Sequence, residues 1–171
     1  MKEAIGGSWL FTIVIVMVIL FSSYVSLSTN YSRCYNIKDR IINIIELEGG
    51  LSDTAVTKIN QYMNNIGYSS SSKICTVEDE TINGKKVDYI KMKTSNCTTA
   101  ANCRTTSGEA NYCIARIGLL PKTATGRPDT YYYKVVVFFQ LPLPVIRSLF
   151  LIRISGETSQ IVGSHNDALF A

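Results

Sequence analysis

Five cysteines are the residues of this chain best suited to chemistry: Cys34, Cys75, Cys97, Cys103 and Cys113. Four of them, Cys75 to Cys113, fall within 39 residues, in a stretch rich in Ser, Thr and Asn. A structural zinc site would want C-x2-C pairs or histidine close by. Cys97 and Cys103 are spaced C-x5-C, and the single histidine, His165, lies in a polar SHND segment and reads as exposed. Two disulfides among Cys75, Cys97, Cys103 and Cys113, formed in an oxidising compartment, account for the pattern better than a metal or free thiols. Four cysteines allow three pairings, and the sequence does not select one. The reading leans toward each pair tying the 94–109 loop to a neighbouring strand. Cys34 stands apart, on the apolar stripe of a helix. There it reads as a small buried hydrophobe, with an intermolecular disulfide or a reactive thiol as the alternatives.

Other chemistry finds little to build on. Glu78-Asp79-Glu80 could hold Ca²⁺ with outside ligands, but beside Asn83-Gly84 it reads as a solvated turn. No G-x-S-x-G, S-x-x-K or Gly-rich phosphate loop follows a predicted strand. No enzyme activity, metal, cofactor or small-molecule substrate is expected. Lys and Arg number 17 and Asp and Glu 13, so the net charge is 17 − 13 = +4, with no basic run. That balance argues against a nucleic-acid partner. Two formal glycosylation sequons occur, at Asn30 and Asn96, and Asn30 would sit too close to a bilayer.

The elements that must position these cysteines begin with an apolar rod. Charged residues make up 18% of the chain, against about 25% in typical soluble domains. From Ala4 to Ser32 there is none in 29 residues, and Trp9–Phe21 reads WLFTIVIVMVILF. A bilayer's hydrocarbon needs about 20 such residues in a helix. A lone span must be helical, because each backbone N–H needs an internal partner. Trp9 at one end and Tyr24 and Tyr31 at the other suit interfacial anchors. A cleaved secretory signal and a soluble core helix are the competing readings. The first lacks a basic leader, since Lys2 is opposed by Glu3. The second would be unusually apolar all round. A retained membrane helix over 9–29 is the reading taken.

Past the span, Cys34, Ile37, Ile41 and Ile44/Ile45 recur at helical spacing until Gly49-Gly50. With no Pro or Gly from Leu10 to Glu48, both segments can form one rod of about 65 Å. A second helix is predicted over Asp53–Ile66, capped by Ser52 or Asp53 and ended by Gly67, followed by a Ser69–Ser72 linker. The period then switches to two. Lys73–Glu78 and Lys86–Lys93 flank Asn83-Gly84 as a predicted hairpin. Further strands are expected at Asn111–Ile117, Tyr131–Leu141 (YYYKVVVFFQL), Leu149–Ser155 and Ser159–Val162, with a loop over Pro121–Asp129. The apolar stretch 131–154 is a weak candidate for a second span, because Lys134, Arg147, Arg153, Pro142 and Pro144 oppose it. The fold class is therefore α+β. A long N-terminal transmembrane-plus-amphipathic helix and a second short helix join a small antiparallel sheet of about four or five strands carrying disulfides.

This layout resembles the type IV filament superfamily of pilins and pseudopilins. A short leader with Gly6-Gly7-Ser8 precedes an apolar helix that runs into an amphipathic one, and a disulfide-bearing sheet follows. The stretch Val135–Thr158, VVVFFQLPLPVIRSLFLIRISGET, is similar to the closing strands of TadE-like pseudopilins of tight-adherence systems. The resemblance covers the first 50 residues and the last 40 in pattern, without a diagnostic motif. It implies cleavage by a prepilin peptidase after Gly6 or Gly7. It also implies a Glu five residues into the mature chain, and here the sequence departs. That position is Thr12 counted from Ser8, or Phe11 counted from Gly7, and the nearby carboxylate is Glu3.

The expected organisation is a leader over 1–8, a transmembrane helix over 9–29, amphipathic helices over 30–67 and an extracytoplasmic β-sheet domain over 73–171. The expected role is a pilin-like structural subunit of a bacterial filament or secretion apparatus. Its partners would be membrane lipid and like subunits, met through an assembly face of Trp9, Ile13, Val16, Leu20, Cys34, Ile37 and Ile41. The alternative is a monomeric single-pass surface protein whose disulfide domain binds a ligand or host surface. The resemblance predicts that N-terminal sequencing of the membrane-extracted protein starts at Gly7 or Ser8, whereas an intact Met1 counts against pilin-type maturation.

Overall fold

The computed structural model describes residues 2–75, 81–82, 85–94, 97, 99–106, 108–118, 130–140 and 151–162. The apolar and amphipathic segments form a single helix, α1 (Lys2–Leu47, 46 residues), about 69 Å long. Four of its polar side chains bond within it: the hydroxyls of Thr12, Ser23 and Thr29 and the amide of Asn30 each donate to the carbonyl four residues back. This removes the cost of carrying such groups through an apolar medium. Gly49 ends α1 at φ 66°, a left-handed conformation natural to glycine. Helix α2 (Asp53–Asn65) follows, with the Ser52 hydroxyl accepting from the Ala55 amide as its N-cap.

A hairpin of β1 (Thr81–Ile82) and β2 (Lys85–Lys86) forms a separate two-stranded sheet. Its register leaves Asn83-Gly84 as the connection, and those two residues lie outside the described set. The main antiparallel sheet contains β3 (Ile90–Met92), β4 (Arg104–Thr105), β5 (Tyr112–Gly118), β6 (Thr130–Gln140) and β7 (Leu151–Glu157), in the order β4-β3-β5-β6-β7. The short β8 (Ile161–Val162) pairs with β6 beyond the end of β7. A one-turn helix, α3 (Ala100–Cys103), precedes β4.

Alternation decides which side chains meet the helices. Tyr112 and Ile114 of β5 and Tyr131, Tyr133, Val135 and Val137 of β6 face the helices. There they bury Ile37, Ile41, Ile44 and Ile45 of α1 and Val56, Ile59 and Met63 of α2. Cys113, Val136 and Phe138 face the other side and cluster with Cys75 and Ala110. The Tyr133 hydroxyl accepts from the Leu51 amide and so pins the α1–α2 turn to the middle of the sheet.

Two predicted strands are corrected. Residues 73–75 are not in a strand; Ser72 makes one isolated antiparallel bridge to Ala110, so the serines are a docked edge rather than a free linker. Lys86–Lys93 divides, because β2 pairs with β1 whereas β3 pairs with β5 and β4. Pairing with β5 carries Ile90 and Met92 into the core, which outweighs the local hairpin pattern. The expectations at Glu78-Asp79-Glu80, Asn96, Pro121–Asp129, Leu141–Phe150 and His165 lie outside the described residues.

At Gly156 the helix passes so close to β7 that a Cβ would lie 2.6 Å from Lys38 Cδ and 2.8 Å from Ile42 Cδ1. Gly156→Val is expected to lower unfolding stability by about 1–3 kcal/mol through overpacking. Denaturant titration checks this, and an unchanged midpoint would show that the seam can slide open freely.

Candidate functional site

Two surfaces stand out, at opposite ends of α1. The first is the N-terminal half of the rod. Trp9, Ile13, Val16 and Leu20 are all exposed, Trp9 at 71% and Leu20 at 60%, as is every side chain from Ser8 to Ser22. Helix Ser8–Leu47 is long and apolar enough to cross a membrane, and its most apolar window packs against nothing in the chain. Gly6 and Gly7 lie inside the same helix, so no break separates the leader from the span.

The second half of the predicted assembly face serves another purpose. Cys34, Ile37 and Ile41 are buried, at 5%, 5% and 0% exposure. They lie against the chain's own sheet, so they are intramolecular core rather than a surface for a neighbour. The stripe is continuous in sequence, but it is half-buried near Leu27 and fully covered only from Cys34 onward. Lys38 sits among these residues with its stem over Gly156 and its ammonium 2.9 Å from Asp39 and 3.7 Å from the centre of the Tyr35 ring. Burial pulls the ammonium down, but the hydrogen bond and charge of Asp39, joined by Tyr35, outweigh it and hold the group above the ordinary lysine value.

Cys34 points its thiol at the Phe138 carbonyl, 3.8 Å away. The Tyr68 hydroxyl donates to that carbonyl at 2.6 Å and accepts from the Phe138 amide at 3.0 Å. The ladder of β5 reaches only to the Tyr112–Val137 pair, so Tyr68 takes the place of the missing strand residue and keeps a buried amide satisfied. Burial pushes both the Cys34 thiol and the Tyr68 phenol up; Arg33 opposes the first shift and the Phe138 hydrogen bond the second. Sequence reading did not single out Tyr68, because nothing local shows that β5 starts one residue late.

The disulfides are Cys75–Cys113 and Cys97–Cys103. Neither ties the 94–109 loop to a strand, contrary to expectation. Cys103 lies on the helix-facing side of the sheet and Cys113 on the other, so those two cannot bond. The turn of α3, capped by Thr99, instead returns Cys103 to Cys97. Asn60 of α2 lies beneath this cystine, donating to both sulfurs at 3.1 and 3.0 Å and accepting from the Tyr112 hydroxyl. Asp53 accepts from the Ala100 amide at 2.7 Å, fixing the start of α3. By loop-closure entropy the wider Cys75–Cys113 crosslink, 38 residues apart, is worth about 4 kcal/mol and the short one about 2 kcal/mol.

A cleft of about 390 Å³ lies between the end of α1 and α2, lined by Arg40, Ile44, Leu47, Glu48, Lys58 and Tyr62 among others. Glu48 is already engaged there: Lys58 and the Thr54 hydroxyl both donate to it and hold its carboxyl below the ordinary value. Among the described residues no three His, Cys, Asp or Glu side chains are grouped to hold a metal. No family model, no curated protein and no solved structure matches this chain.

Non-reducing peptide mapping is expected to return Cys75–Cys113 and Cys97–Cys103, with Cys34 as a free thiol that alkylates only after unfolding. Because the fold favours the neutral Cys34, its contribution is complete below the unfolded thiol value of about 8.5 and is lost as pH rises above it. Rapid alkylation of the native protein at neutral pH would show that the α1–sheet seam is open.

Proposed function

We propose that this chain is a membrane-anchored, pilin-like structural subunit, held by the 9–29 segment of α1 with its disulfide-bearing domain outside the cell. In this reading it associates with like subunits through the exposed half of the rod, as part of a bacterial filament or secretion apparatus. One observation carries the reading: the same helix is bare and apolar from Trp9 to Phe21 and buried in the domain from Cys34 onward. An apolar surface of that length needs lipid or other helices around it. In lipid, helices associate by shape and by small or polar groups rather than by hydrophobicity. Its partners are then membrane lipid and copies or relatives of itself; the reading needs no cofactor, catalytic residue, nucleic acid or small-molecule substrate. The two crosslinks fit an oxidising exterior.

A second reading, a lone surface anchor presenting a binding loop, has its own support. The Cys97–Cys103 loop packs on α2 near Asp53, at the end of the domain reached after α1 has run its length away from the span. Ala101, Asn102 and Arg104 are exposed there.

Single cysteines at Ile13, Val16 and Leu20, oxidised in native membranes, separate the two. Assembly through this face predicts disulfide-linked dimers at these positions, which share one side of the helix. Monomer at all three positions favours the lone anchor.

A further inference from the structure

Three contacts fix the direction in which the β6–β7 arm runs along α1. The Ser159 amide and hydroxyl donate to Glu46. Gly156 lies against Lys38 and Ile42. Ile154 clusters with Cys34. Each step toward the N-terminus of α1 is thus a step toward the start of β7. Ile152 and Leu27 both pack on the Cys34–Ile154 cluster, and they continue the series. Leu27 is seven residues ahead of Cys34, about 10.5 Å along the helix. Leu151 is three residues ahead of Ile154, about 10 Å along the strand. The start of β7 therefore stands at the level of Leu27.

The same scale locates the bilayer. Trp9 and Tyr31 are 22 residues apart, about 33 Å, which brackets a hydrocarbon core of about 30 Å between aromatic anchors. Leu27 lies about 6 Å on the lipid side of Tyr31, and about 9 Å on the lipid side of Arg33, the first charge after the span. At this level Ser23, Ser26, Leu27 and Asn30 form the half-buried face of α1. Leu151 and Ile152 are themselves half-buried, and Arg153 has its guanidinium engaged on the Ile74 carbonyl.

We infer that the start of β7, Leu151 and Ile152, is a second membrane contact, seated in the glycerol and upper acyl-chain layer of the bilayer that holds α1. The inference rests on anchoring by the 9–29 segment. It goes further by making the domain lean on the membrane at two points, so that its tilt is set and the Cys97–Cys103 end is held away from the surface.

The unmodified full-length chain, reconstituted in phosphatidylcholine vesicles containing a phosphatidylcholine with a diazirine on the upper acyl chain, tests this by irradiation and peptide mapping. Adducts are expected within 9–24 and again at 151–152, the latter several-fold above Val162, which is exposed at the opposite end of β6. Labelling of 9–24 with Leu151 and Ile152 no higher than Val162 overturns the inference and leaves the anchor standing. Absence of labelling at both places overturns the anchor and the inference together.

Discussion

Burial of one isoleucine stripe of α1 beneath β6 is the constraint on which the rest of this structure depends. Ile37, Ile41, Ile44 and Ile45 meet Tyr133, Val135 and Val137 of the longest strand. Each fully buried aliphatic side chain contributes about 1.5–3 kcal/mol, so the seam is strong enough to fix the helix direction relative to the sheet. That direction determines at which end of the domain the apolar half of the rod emerges. Gly156 lets the two surfaces close, and Lys38 seals the seam with its hydrocarbon stem while keeping its charge beside Asp39.

Away from the seam, single polar groups hold the less regular parts. Asn60 beneath the Cys97–Cys103 cystine, Tyr68 at the end of the β5 ladder and Tyr133 on the α1–α2 turn each satisfy a buried partner while spanning a large sequence separation. An unpaired buried donor costs about 1–3 kcal/mol, so these side chains define the loop positions as firmly as apolar packing defines the strands. The Cys75–Cys113 bridge does the same on the opposite face, fastening the serine-rich edge to β5.

The functional reading follows from an asymmetry within one element. Charge first appears after Ser32, and the environment changes at nearly the same place, near Leu27 to Cys34, where the sheet first meets the helix. On the N-terminal side the helix is long and apolar enough to span a membrane and touches nothing else. On the C-terminal side it is the spine of a small disulfide-bearing domain. Both halves lie on one unbroken helix, which is the feature the proposed anchored subunit would use.

Much of this was legible in the sequence because it is local. The uncharged run from Ala4 to Ser32 and the absence of Pro or Gly from Leu10 to Glu48 favour one long helix. Ser52 and Gly67 bound α2, and the β-branched and aromatic residues of 131–140 make a strand in almost any context. Tertiary structure alone decided the division of 73–93 between two sheets and the cysteine pairing. It also decided the use of Cys34, Ile37 and Ile41 as internal core and the role of Tyr68. Those outcomes turn on which face of a strand points toward the helices and where a ladder ends, and strand pairing sets both across tens of residues. Periodicity shows that a side chain has an apolar neighbour, but only the folded chain determines whether that neighbour is its own sheet, lipid or another molecule.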